Sequence, residues 1–230
     1  MTITKKVPKK YQPKGFEILY EDRDLIIGNK APGFLTVAAK WNQDRTIHSA
    51  LNHYIRKGSS RSKSSVYVVH RLDQATTGVL VFAKTEDAQK ILKDNWKSTT
   101  KTYYTIVHGK LKQQSGKIST YLNEDDDYFV HSSNDSSGKL AVTEYEVIKE
   151  TDKYSLVKVN LVTGKKNQIR VHMAELGTPI VGDTKYGKKL DTFKNLCLHS
   201  HSLELTHPFT KKRLRIEAPI PTYFKSLITF

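Results

Sequence analysis

The chain has 230 residues, enough for one substantial domain, or one domain in two lobes around a cleft, to bury a core without covalent staples. Its 38 Lys+Arg against 23 Asp+Glu give a formal net charge of +15, a field that attracts polyanions. A single cysteine, Cys197, excludes an intrachain disulfide framework, and no apolar run approaches a membrane span or a signal core, so the expectation is a soluble cytoplasmic protein.

Residues 1–15 are polar, rich in Lys and Pro, and without a period. They read as a basic arm, mobile unless bound, ahead of a single domain over 16–230. "FEILYEDRDLIIGNKAPGFLTVAA" predicts a strand, a turn at Glu21–Asp24, a second strand, and a third after Pro32-Gly33. In "TIHSALNHYI" the residues Ile47, Ala50, Leu51, Tyr54 and Ile55 recur at helical spacing, with Asp44 as N-cap. "KGSSRSKSS", 57–65, is a basic loop. "VVHRLDQATTGVLVFAKT", 68–85, reads as strand, polar knot, strand. "EDAQKILKDNW" is a second amphipathic helix capped by Thr85. Strands follow at 102–108, roughly 117–121, 128–132, 139–149 and 154–162. "NQIRVHMAEL" is a short helix stopped by Gly177, and the last strands lie at about 196–206 and 213–218. Strands outnumber helices and come in runs. This predicts an α+β fold, with a mixed, largely antiparallel sheet in two lobes, a few flanking helices and a central cleft.

Four stretches carry chemistry. In "HRLD" Asp73 lies between two apolar strands, where it either caps its own turn or acts as a reactive carboxylate. Buried, it needs a cation or several donors to stay ionised. Arg170, on the helix of "NQIRVHMAEL", can grip such a carboxylate with two prongs, although an ordinary surface helix fits the same pattern. On that helix Gln168 and His172 share a face, and Ile169, Met173 and Leu176 form the core stripe. In "KTYYTIVHGKL" Tyr103, Thr105 and Val107 share one strand face, a pattern that equally suits core packing. Cys197, His199 and His201 share another face, with His207 further on, but alternation spaces such ligands about 7 Å apart, poorly for zinc, and no metal is expected.

The order H-R-L-D is not the kinase H-R-D-L, and no P-loop, G-x-G-x-x-G or G-x-S-x-G occurs. The basic patches "RKGSSRSK", "TGKKNQIR", "KYGKK" and "TKKRLR" fit nucleic acid better than a membrane surface, because no basic helix has a strong apolar face.

Together the motifs resemble the RluA-type RNA pseudouridine synthases, from about Leu19 to Pro221. "DLIIGNKAPGFLTV" resembles the family's first motif. "HRLDQATTGVLVFAKT" resembles its signature H-R-L-D-x-x-T-S-G-L-L-x-x-A-K. "KTYYTIVHG", "TGKKNQIRVHMAELGTPIVGDTKYG" and "LCLHSHSLELTHP" resemble the later ones in order and spacing. Thr77 replaces the usual Ser, Ala31-Pro32 reverses Pro-Ala, and Lys165, Lys166 and Asn167 replace Arg-Thr-His. About 18 residues precede the match, so the S4-type domain of many relatives is expected to be missing.

The resemblance implies isomerisation of uridine to pseudouridine in ribosomal or transfer RNA, without a cofactor. It implies Asp73 as catalytic carboxylate paired with Arg170, and Tyr103 beside the base as acceptor of the C5 proton. Arg71 would fill the gap left by a flipped base, and Leu198 would form an apolar wall against uracil. Gln168, Lys165 and Lys166 would contact RNA. A monomer with no obligatory protein partner is expected. Two other readings are a non-catalytic RNA-binding or RNA-folding protein on the same scaffold and a glycoside hydrolase, the latter lacking an evident second carboxylate.

Overall fold

The computed structural model describes residues 7–39, 45–57, 59, 61–133, 135–188 and 191–228. The chain forms two compact units, Met1–Thr99 with Ser200–Pro219, and Thr100–His199 with Ile220–Phe230. The fold class is α+β, with mostly antiparallel strands and few helices.

In the first unit, β1 (Phe16–Glu21), β2 (Leu25–Lys30), β3 (Tyr67–Val68) and β4 (Thr77–Ala83) form antiparallel ladders β1–β2, β2–β4 and β3–β4. All seven residues of β4 are buried, as suits an interior strand rich in β-branched and aromatic side chains. A third neighbour is β10 (Leu198–Thr206), whose residues from Ser200 onward belong to this unit. Ser200 Oγ donates to Val79 O at 3.2 Å, and β10 pairs antiparallel with β11 (Arg213–Glu217). Gly78 makes this close approach possible: a Cβ there would sit 2.1 Å from Ser200 O, and its φ of +110° is left to glycine. Helices α1 (Ile47–Ile55) and α2 (Glu86–Asp94) complete the unit, with Ala88 and Leu92 of α2 packed against Leu25, Val79, Val81 and Leu203.

Thr85 caps α2 as expected, accepting from Ala88 N. The cap of α1 is Thr46, accepting from Ser49 N at 3.0 Å; Asp44, expected there, lies outside the described residues. The third strand expected after Pro32-Gly33 does not form. Leu35 makes only an isolated parallel bridge to Thr46, and the carbonyls of Leu35 and Thr36 accept from Ile47 N and His48 N. That backbone closes the start of α1 instead of a ladder.

The expected mobile arm is docked from residue 7 on; residues 1–6 lie outside the described set. Lys9–Tyr11 form a 3₁₀ turn, Gln12 bridges Val7 O and Ile18 N at 2.8 Å each, and Ala31 N donates to Gly15 O.

In the second unit the strands run in the order β5-β9-β8-β6-β7: β5 (Thr100–His108), β9 (Tyr154–Leu161), β8 (Lys139–Glu150), β6 (Ser115–Glu124) and β7 (Val130–Ser133). Each of these ladders is antiparallel, and a bulge falls in β8 between Val147 and Lys149. Helix α3 (Gln168–Glu175) ends before Gly177, whose φ is +77°, and a short α4 (Thr222–Lys225) closes the chain. Among the described residues no helix is long and apolar enough to cross a membrane.

Candidate active site

Asp73 sits in the loop from β3 to β4, half-buried, between two clamped neighbours. On one side Thr36 Oγ1 accepts from Leu72 N at 3.1 Å and donates to Leu72 O at 2.9 Å. On the other, Gln74 O accepts from Lys30 Nζ and from Gly33 N, both at 2.9 Å, and Gln74 Nε2 donates to Gly33 O at 3.1 Å. Thr76 N closes the turn onto Asp73 O at 3.1 Å. The backbone on both sides of the carboxylate is thus fixed by groups distant in sequence, the preorganisation a reactive group needs.

Lys30 is the other charge under this loop. Its side chain is wholly buried, and Nζ donates to Ala31 O, Phe34 O and Gln74 O at 3.0, 2.9 and 2.9 Å, using all three ammonium hydrogens. Burial pushes its pKa down to about 7, and the negative charge of Asp73 acts against that shift.

Two residues of "HRLD" divide the work of the loop. His70 Nε2 accepts from Val81 N at 3.1 Å, which places the neutral ring's proton on Nδ1, and the ring stacks on Trp96 at 4.7 Å. His70 is therefore scaffold. Arg71 is exposed and makes no hydrogen bond or ion pair among the described residues.

The other residues singled out by sequence lie in the second unit. Tyr103 is a buried residue of β5, opposite Val159. Arg170, on α3, makes a two-pronged contact with Asp183: Nε to Oδ2 at 2.8 Å and Nη2 to Oδ1 at 2.7 Å. Its guanidinium also lies 5.2 Å from the Tyr186 ring centre. Burial raises the Asp183 pKa, but Arg170 and the N–H groups of Tyr186 and Lys185 outweigh it and hold the carboxyl below its usual range. Sequence reasoning leaves Asp183 and Lys30 inside motifs without giving either a role. Asp183 stands in "GTPIVGD" among turn residues, and Lys30 reads as the polar end of a strand.

Gln168 is a correction. Expected at the RNA, it is 2% exposed, and its amide is fully engaged inside the protein. Nε2 donates to Val142 O and Thr143 Oγ1; Oε1 accepts from Thr163 Oγ1 and Lys165 N. No polar atom remains for RNA, and Gln168 shapes the loop that carries Lys165 and Lys166. Lys166 Nζ pairs with Glu124 and lies 5.2 Å from the Tyr128 ring centre, so its charge is shared with the acidic hairpin. Leu198 is buried at the start of β10.

The histidines considered as metal ligands go to separate tasks: His201 Nδ1 contacts Ala218 O, and His207 Nε2 contacts Asp22 Oδ2 at 2.8 Å. Burial pushes the Cys197 thiol pKa well up, leaving it an unreactive core residue.

A sequence model described as RNA pseudouridylate synthase matches residues 24–175. The chain belongs to that family. A Bacillus subtilis (strain 168) protein named Uncharacterized RNA pseudouridine synthase YjbO is 32% identical over 220 residues, which cover 94% of this chain and 77% of that one. Ribosomal large subunit pseudouridine synthase D of Blochmanniella floridana is 33% identical over 229 residues, covering 92% and 71%. Among solved structures, Human RNA Pseudouridylate Synthase Domain Containing 4 matches with a TM-score of 0.74 over 90% of this chain and 89% of that one. At 24% identity that likeness is one of fold. Members of the family are isomerases that convert uridine in RNA to pseudouridine, and this chain is an enzyme of that class.

Proposed function

We propose that the chain isomerises uridine in RNA of the large ribosomal subunit, with Asp73 as the catalytic carboxylate. The observation that carries the residue assignment is the double clamp on Leu72 and Gln74, with the Lys30 ammonium beneath. Each available route needs a carboxylate held in a fixed position. Asp73 either attacks C1′ or removes the C2′ proton to give a glycal. In both routes the N1–C1′ bond breaks, the uracil turns, and C5 bonds to C1′. C5 then loses its proton, N1 gains one, and nothing is oxidised or reduced.

A stacked uridine is out of reach, so the base must leave the helix. Arg71, exposed and without a protein partner among the described residues, supplies a planar cation to fill the gap. Tyr103 receives the C5 proton. Arg170, gripped by Asp183 through Nε and Nη2, is the cation of the proposed catalytic set. The ribosomal target rests on the names of relatives such as the Blochmanniella floridana protein.

The test uses ribosomal and transfer RNA transcripts carrying tritium at uridine C5. The wild type is expected to release tritium from large-subunit RNA, and Asp73→Asn to lower the rate at least about a hundredfold. Release that survives Asp73→Asn removes the residue assignment. Release from transfer RNA alone moves the target.

A further inference from the structure

We propose that a groove in the first unit, between the docked segment Lys9–Lys14 and helix α1, binds a single-stranded flank of the substrate RNA. The proposal rests on RNA being the substrate. The groove has a volume of about 640 Å³, within the range of small-ligand sites. Three kinds of observation point to its occupant.

The first is charge. Among the described residues Lys10, Lys14 and Arg45 line the groove, and no carboxylate is part of the lining. In a chain of net charge +15 this convergence of cations suits phosphates.

The second is aromatic surface. Tyr11, Phe34 and Tyr54 line the same groove, and Tyr11 is 59% exposed. An exposed aromatic among cations is the composition of a stacking platform for bases, because every base has a π-face. An acidic peptide would use the lysines but has no need of the rings.

The third is rigidity. Tyr54 Oη donates to Glu21 Oε2 at 2.9 Å, which fixes its ring. Phe34 packs on Gly15, where an added Cβ would stand 2.6 Å from the ring, and Phe34 O is held by Lys30 Nζ. The same Nζ holds Gln74 O beside Asp73, so one side chain anchors both a groove wall and the catalytic loop.

Fluorescence anisotropy of the full chain with labelled octauridylate, and separately with octaglutamate, tests this. Tyr11→Ala should weaken octauridylate binding about tenfold, and Tyr11→Trp should restore it. Lys10→Gln with Lys14→Gln should reduce the slope of log affinity against log salt by about 1.4, at about 0.7 per single-strand phosphate contact. The control pair Lys90→Gln with Lys93→Gln, on exposed positions of α2, removes the same net charge and should leave that slope in place.

Equal weakening by both lysine pairs with Tyr11→Ala neutral would overturn the groove, leaving only a general field. So would octaglutamate binding as tightly as octauridylate with the same dependence on Tyr11, which would reassign the groove to an acidic peptide. Tritium release from C5-labelled RNA, measured on the same proteins, separates this from the enzymatic reading. Release without groove-dependent binding sinks the groove alone. Groove-dependent binding without release from any cellular RNA sinks the isomerase reading alone.

Discussion

Lys30 shows how much a single buried side chain can hold. Its ammonium has three hydrogens, and three carbonyls meet them, two from the segment after β2 and one from the loop that carries Asp73. Lys30→Met keeps the apolar stem but leaves those acceptors unpaired. The expected loss is about 3 kcal/mol of stability, at roughly 1–3 kcal/mol per orphaned buried group with partial relaxation. Tritium release should fall as the Gln74 end of the loop loosens. Unchanged melting and unchanged release would show the contacts to be incidental. The loop that carries Asp73 is legible in the sequence as a polar knot between two strands, because its motif is contiguous. Lys30 is not, because its burial depends on Gln74, 44 residues later, and no local pattern records that return. Asp183 escapes for the same reason: only the fold brings it to Arg170.

Helix α3 shows the limit of periodicity at the scale of an element. Its core stripe reads correctly at Ile169 and Met173, yet Gln168 and His172 are buried as well. The opposite face is covered by hydroxyls: His172 Nδ1 meets Thr143 Oγ1 at 2.8 Å, and Nε2 meets Thr120 Oγ1 at 3.0 Å. A hydroxyl can donate or accept, so these two partners fit a neutral imidazole with one ring nitrogen donating and the other accepting. Burial lowers the His172 pKa from 6.5 to about 4. Because the folded pKa lies below the unfolded one, the unfolded chain binds the extra proton between those values. Stability from this group is complete above about 6.5 and falls as the pH drops toward 4. The loss is on the order of 3 kcal/mol, at 1.36 kcal/mol per pKa unit. Urea unfolding at about pH 7 and about pH 4.5 should show a shallower acid loss in His172→Gln than in the wild type. Equal losses would mean that other groups set the acid limit. The missing third strand makes the same point. "FLTV" has strand composition, but its carbonyls are taken by the first turn of α1, a tertiary fact outside any window of sequence.

At the scale of the whole molecule, runs of strands were enough to give the α+β class from sequence, and the basic composition a nucleic-acid partner, which the family resemblance narrowed to RNA. The division of the chain was not visible, because it does not follow chain order. The first unit is written in two pieces, with Thr100–His199 between them. Its central strand β4 has β2 on one side and β10 as a further neighbour, and the short β3 pairs with it at Phe82 and Ala83. On the ribosome, β4 therefore emerges with β2 and the two-residue β3 made and β10 still roughly a hundred residues from being translated. At about 5–20 residues per second that interval lasts roughly 5–20 s. Throughout it, the part of this apolar strand that β3 does not pair offers an open edge, the kind of template on which other chains associate. A chain stopped after residue 199 should sediment as aggregate rather than as a monomer. A monodisperse truncated chain would mean that some other segment shields the edge. Each new copy of this RNA-modifying enzyme thus passes through a window in which its yield depends on elongation rate and on whatever chaperone reaches β4 before β10 does.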